Sequence, residues 1–281
     1  MIFGMTRWRL LLDAAPDGAR NMALDRALLE ACESSSASGG APEPVLRLYG
    51  WARPTVSAGR HQGLADACDL AWCSESGIDA VARPSGGRAV LHDDEVTYAV
   101  IAPATGAFAG AGITRASSAI AGALVAALRR LGADVAVVRG VAALVPRSVR
   151  LACFASASRS ELTASGRKIC GSAQVRLREG ILQHGSIPLS LDPMRHAAAL
   201  GAPVPQLALK AASLEDAIGR RPDAAEVRAA LVLGFAETFG AEVEPDGPTD
   251  EEGARTEALD REWRADPRRW IAAPAAIATR A

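Results

Sequence analysis

Strand-like segments that follow one another without an intervening helix place the strongest limit on what this chain can fold into. Lys168–Arg176 and Gly180–Leu189 read as strands separated by three residues, too few for the crossover a parallel pair needs. Ile78–Arg83 likewise runs through Pro84-Ser85-Gly86-Gly87 and a short apolar run into another strand, Glu95–Ala102. Trp8–Leu12, Val45–Tyr49, Thr55–Ala58, Asp134–Val138 and Leu151–Phe154 read as further strands. Apolar residues at helical spacing predict amphipathic helices over Ala19–Cys32 and Leu64–Ser76, and a long one over Ile113–Leu131 stopped by Gly132. This succession favours an α+β fold with mixed, largely antiparallel sheets flanked by helices over a doubly wound one. The last eighty or so residues change character. Leu214–Ile218, with Ser213 as N-cap, Ala224–Phe239 and Glu251–Trp263 read as helices between Pro- and Gly-containing turns. The expected division is a main domain over residues 1–240 and a small helical C-terminal extension over 241–281. Ser34–Pro44, rich in Gly, Ser and Pro, reads as a surface loop.

Charge and cysteine content narrow the function classes. With Lys+Arg 31 against Asp+Glu 32 the net charge is −1, which gives no electrostatic footprint for nucleic acid or an acidic membrane. Apolar stretches such as Ala121–Leu128 fall well short of the ~20 residues a membrane span requires. The start lacks a basic segment followed by an unbroken apolar run, so a cytoplasmic protein is expected. Cys32, Cys68, Cys73, Cys153 and Cys170 are odd in number and form no C-x-x-C pair, which argues for reduced thiols and against a disulfide framework or a zinc ribbon. No metal site is expected. Among 31 basic residues only Lys168 and Lys210 are lysine.

Three clusters could carry chemistry. In Arg83-Pro84-Ser85-Gly86-Gly87-Arg88-Ala89-Val90-Leu91-His92-Asp93 two glycines sit between arginines, so backbone N–H groups can approach an anion or carbonyl that the guanidinium groups also hold. The same residues would serve a hairpin turn with charged shoulders, and His92 a structural role. Cys153 ends an apolar strand at the entrance to a small polar loop, a position that suits a nucleophile and equally a packed thiol. Gly166-Arg167-Lys168-Ile169-Cys170-Gly171-Ser172-Ala173-Gln174 sets one of the two lysines in a glycine-flanked strand. A compact ammonium, unlike a planar guanidinium, fits a narrow pocket beside a thiolate or thioester carbonyl. Cys170 is a rival thiol, and Gln183-His184-Gly185-Ser186 a polar interruption in an apolar strand.

Together these segments resemble the biotin/lipoate protein ligase superfamily, most closely its cysteine-dependent octanoyltransferases of lipoate assembly. Asn21-Met22-Ala23-Leu24-Asp25 is similar to that family's N-terminal helix motif, Arg83–Asp93 to its signature loop, Gly166–Gln174 to its lysine strand and Leu182–Ile187 to the strand that follows. The likeness spans roughly residues 6–240 and implies a biotin/lipoate ligase-like catalytic domain there. Ala82 stands where the family usually has a second arginine, and Ala157 and Ser160 replace a proline and an aromatic residue.

The resemblance implies that Cys153 carries the acyl group as a thioester and that Lys168 lowers the thiol pKa and binds the acyl carbonyl. It places Arg83, Ser85, Gly86, Gly87, His92, Gly171, Ser172 and His184 around the acyl or carrier-arm pocket. The implied reaction moves octanoyl from octanoyl-acyl carrier protein to Cys153, then to a lysine of a lipoyl domain, that of the glycine-cleavage H protein or of a 2-oxoacid dehydrogenase. Thioester exchange followed by amide formation runs downhill, so neither ATP nor a metal cofactor is expected. Alternatives are an ATP-dependent lipoate–protein ligase, an octanoyl amidotransferase between lipoyl domains and a non-catalytic acyl-binding paralogue. Arg88 where ligases usually have a third glycine, and Asp94-Glu95-Val96-Thr97-Tyr98 where they show an asparagine-containing stretch, weigh against the ligase.

Overall fold

The computed structural model describes residues 6–109, 113–137, 161–201, 204 and 210–267. Among them, eight strands form one sheet: β1 (Thr6–Leu12), β2 (Val45–Tyr49), β6 (Glu95–Pro103), β7 (Val135–Val137), β8 (Leu162–Ala164), β9 (Arg167–Arg176), β10 (Gly180–Pro188) and β11 (Ala241–Asp246). Their order is β11-β1-β2-β6-β10-β9-β8-β7. The first two pairings, β11 with β1 and β1 with β2, are parallel, and the rest are antiparallel. A smaller sheet has the order β4-β3-β5, with β3 (Thr55–Ala58) parallel to β4 (Asp79–Ala82) and antiparallel to β5 (Val90–His92). The fold is thus α+β with mixed, largely antiparallel sheets.

The central strands are buried on both faces, and apolar apart from a few buried polar residues such as Arg47, Glu95 and His184, because both faces of the large sheet are covered. Along β6, Val96, Tyr98 and Val100 enter one core while Ala99 and Ile101 enter the other, the two-residue alternation a strand imposes. The first core lies under helices α4 (Ile113–Arg130) and α7 (Ala224–Phe239), which bring Ile120, Leu124, Leu128, Leu231 and Phe235 against Trp8, Leu46 and Leu48. The second lies under α1 (Gly18–Ala37) and α8 (Asp250–Ala265), where Met22, Leu28 and Leu29 meet Leu259 and Trp263. Around the small sheet a third core includes Val56, Ile78 and Leu91 with Ala197 and Leu200 of α5 (Pro193–Leu200).

Several local expectations are corrected. The helix over Leu64–Ser76 is two short ones, α2 (Leu64–Ala67) and α3 (Leu70–Glu75), because Cys68 adopts extended backbone and the Asp69 side chain caps the second by accepting from Trp72 N. The expected Ser34–Pro44 loop begins later, since α1 continues to Ala37. β5, β8 and α5 were not read from the sequence. Residues 241–246 are a strand rather than part of a helical tail, and α6 (Leu214–Ile218) starts at a capping box made by Ser213 and Asp216. The strand expected at Leu151–Phe154 lies outside the described residues.

Candidate functional site

A cleft opens where the small sheet meets the middle of the large one. Its wall includes Ser57 of β3, Arg83 at the end of β4, His92 of β5, Gly171–Ala173 of β9 and His184–Ser186 of β10, with Met22, Tyr49 and Trp51 completing an apolar side. The loop from Pro84 to Ala89 that connects β4 to β5 is held at its edge by Arg83. That guanidinium, buried, donates from Nε and Nη2 to Gly86 O at 3.2 and 2.8 Å, from Nη2 to Arg88 O at 2.7 Å, and from Nη1 to Ser57 O at 2.7 Å. Arg83 therefore organises the carbonyl groups of its own loop. Gly87 sits at φ +94°, and a Cβ there would approach Arg83 Nη2 to 2.9 Å. Gly59 lies so close under the loop that a Cβ would meet Gly87 O at 2.1 Å.

The loop is pinned to the large sheet by a hydroxyl, an imidazole and a carboxylate in series. Ser85 Oγ lies 2.6 Å from His184 Nε2, and His184 Nδ1 2.9 Å from Asp25 Oδ2. Burial pushes the Asp25 carboxyl upward, but the Arg47 charge and the His184 hydrogen bond outweigh it and hold the pKa below the usual range. Asp25 is thus a carboxylate that accepts from His184, from Arg47 Nη1 at 2.6 Å and from Tyr49 Oη at 3.1 Å. Burial lowers the pKa of His184, so its ring is neutral, with Nδ1 protonated and Nε2 accepting from Ser85. Arg47, fully buried, also donates to Asp13 and to Asn21 Oδ1 at 2.6 Å.

A second series with the same bond order stands in the cleft wall. Ser57 Oγ is 2.8 Å from His92 Nε2, and His92 Nδ1 is 2.8 Å from Glu95 Oε1. The His92 ring stacks on Trp51 with centroids 4.1 Å apart. Burial raises the Glu95 pKa, yet His92, Ser186 and Thr97 together hold it below the usual carboxylate value. Ser186 and Thr97 both donate to this carboxylate through short hydrogen bonds.

On β9, Lys168 is buried and donates from Nζ to Glu161 Oε1 at 2.6 Å. Cys170, two residues on, is buried in the core with its thiol pushed up to about 12 by burial. Burial likewise pushes the Cys32 and Cys68 thiols up to about 12 and raises that of Cys73.

Of the residues singled out in the sequence, Arg83, His92, Gly171, Ser172 and His184 share the cleft wall. Ser85 is fully buried behind it, joined through His184. Gly86 and Gly87 form the loop edge. Lys168 lies further along β9 with Glu161. Cys153 lies outside the described residues. Asp25, Arg47, Ser57, Glu95 and Glu161 were not assigned roles, although an arginine inside Val45-Leu46-Arg47-Leu48-Tyr49 and a glutamate opening the apolar run Glu95–Pro103 are the signals that mark buried charge. Among the described residues no group of His, Cys, Asp and Glu is suited to hold a metal ion, and no helix is long and apolar enough to cross a membrane.

A family model describing the lipoyl protein ligase A/B catalytic domain matches residues 17–236. The chain is 40% identical to octanoyltransferase LipM of Moorella thermoacetica over 261 residues, covering 90% of this chain and 93% of that protein. It is also 40% identical to octanoyltransferase LipM of Kyrpidia tusciae, covering 93% and 98%. Among solved structures, a lipoate-protein ligase A bound with ATP superposes with a TM-score of 0.76 at 25% identity, over 94% of this chain and 98% of that one.

Proposed function

The chain belongs to the lipoyl protein ligase A/B catalytic domain family and is an octanoyltransferase within it, and from that premise we propose a two-step transfer through a cysteine thioester. Octanoyl passes from octanoyl-acyl carrier protein to Cys153, and from Cys153 to a lysine of a lipoyl domain, that of the glycine-cleavage H protein being the preferred acceptor. The observation that carries this reading is the state of the other thiols. Cys32, Cys68, Cys73 and Cys170 are all buried, with pKa values raised by burial, and a protonated thiol is a poor nucleophile. Cys153, set between an apolar segment and a run of small polar residues, is the thiol left for the chemistry.

In the first step the Cys153 thiolate attacks the donor's thioester carbonyl. The new C–S bond forms as the old one breaks, and the carrier's thiol leaves with the electron pair. In the second, the acceptor's amine displaces Cys153 and an amide forms. Exchange between thioesters is nearly isoenergetic and amide formation from a thioester is downhill, so the sequence proceeds without ATP. Lys168, whose ammonium is held by Glu161, supplies a compact positive charge to stabilise the thiolate and the developing oxyanion, and an oxyanion donor of this kind lowers a barrier by roughly 3–4 kcal/mol. The cleft, apolar along Met22, Tyr49 and Trp51, suits the hydrocarbon chain. The whole reaction uses soluble partners, in keeping with a cytoplasmic enzyme.

Intact-protein mass spectrometry tests this reading. The protein mixed with octanoyl-acyl carrier protein, without ATP, gains one octanoyl adduct that an apo lipoyl domain discharges; Cys153→Ala gains none, and Lys168→Arg fails because the fork of the guanidinium does not fit where a point charge is needed. Modification of the lipoyl domain only when ATP and free octanoate or lipoate are supplied overturns the reading in favour of a ligase.

A further inference from the structure

We infer that Ser57, His92 and Glu95 form a proton relay that takes the proton lost by the acceptor's lysine amine as it attacks the enzyme-bound octanoyl thioester. The inference rests on the reading above and supplies what that reading lacks, a base for its second step. Once the C–N bond forms, the nitrogen carries a surplus proton. Unless that proton has a route away, the amine is expelled again.

The cleft offers such a route in one direction. Ser57 Oγ accepts from Arg83 Nη1 at 3.1 Å, so its own hydrogen is directed to His92 Nε2 at 2.8 Å. His92 Nδ1 is committed as a donor to Glu95, which is a carboxylate accepting from several sides and has no proton to give. The remaining lone pair of Ser57 Oγ belongs to a residue in the cleft wall. A proton leaving the amine binds there as the serine proton moves to His92 Nε2, and the imidazolium so formed faces a buried negative charge 2.8 Å away. The C–S bond then breaks with its electron pair on sulfur, and the imidazolium returns a proton through Ser57 to the thiolate or to solvent. Trp51 stacked on the ring fixes its plane.

The twin series of Ser85, His184 and Asp25 does not compete for this role. Both serines are buried, but Ser57 lines the cleft wall and Ser85 does not, so the Ser85 hydroxyl reaches the loop's interior and no substrate. It fastens the loop, whereas the series ending in Ser57 faces the cleft.

Single-turnover measurements separate the two halves of the reaction. Enzyme loaded with octanoyl is mixed with an apo lipoyl domain, and the rates of loading and discharge are compared for wild type, His92→Gln, Glu95→Gln and Ser57→Ala. Loss of a general base lowers a rate by about 10²–10⁴-fold, so His92→Gln should slow discharge by at least ~100-fold while slowing loading, which transfers no amine proton, by less than ~10-fold. Glu95→Gln keeps the shape but removes the compensating charge and should show the same asymmetry to a smaller extent. Ser57→Ala, the smallest change, guards against loss of fold and should follow His92→Gln. Equal slowing of both halves, or unimpaired discharge by His92→Gln, overturns the relay. A wild-type protein that never loads overturns the acyl-transfer reading on which it rests.

Discussion

At the scale of single residues the site is a set of buried charges that hold one another in place. Arg47 and Asp25 are both fully buried, and each would be costly alone. Replacing Asp25 by alanine leaves the Arg47 guanidinium facing Asn21 and the partly exposed Asp13 without its fully buried counter-charge and frees His184 from its tautomer. The expected cost is about 3–5 kcal/mol, read as a drop in the urea midpoint. Acid acts on the same groups. His184 and His196 have folded pKa values lowered by burial, so the unfolded chain binds the extra protons and stability is lost as pH falls below the unfolded value of about 6.5. Asp25 and Glu95, whose pKa values are also lowered, contribute stability that is present above about 4 and lost as pH falls further. A urea midpoint that declines from pH 7 towards 5 and more steeply below 4 is expected, and one that stays flat over the whole range contradicts this account.

At the scale of elements the decisive piece is the Pro84–Ala89 loop. Gly87 is at a backbone angle that L side chains rarely adopt, and Arg83 already fills the space a Cβ would take. Gly87→Ala should therefore cost about 1–3 kcal/mol and disturb the carbonyl groups that Arg83 holds, lowering transfer activity more than Gly253→Ala, whose new methyl meets open space. Parallel measurements of melting temperature and octanoyl transfer on the two variants decide it. This loop was legible in the sequence as two glycines between arginines, and so were most strands, because a strand buried on both faces reads as a continuous apolar run. The break at Cys68 was not, since nothing in Leu64–Ser76 interrupts helical spacing, and only Asp69 hints at a new N-cap. β8 was missed although Ser165-Gly166 carries φ values of 48° and 76°, the geometry of a tight hairpin turn, because three residues are too few to display a period.

At the scale of the whole molecule the C-terminal segment is bound into the fold. β11 pairs with β1 in parallel register, Glu252 of α8 takes both Arg9 terminal nitrogens at 2.8 Å, and Leu259 and Trp263 close the core over α1. A chain ended after residue 240 uncovers that core and the edge of β1. It should lose the cooperative transition of the full chain in thermal unfolding, and retention of the full chain's melting temperature refutes this. By itself the sequence determined which residues are apolar, polar or conformationally special, and hence the strand succession, the long helices, the glycine loop and the lysine strand, since these follow from local periodicity and side-chain chemistry. Only the tertiary structure decided that Ser57, His92 and His184 share one cleft wall with Asp25 and Glu95 hydrogen-bonded to the two histidines, because hydrogen bonds between residues as far apart in sequence as 25 and 184 depend on how two sheets and a helix pack, and no local pattern encodes that distance.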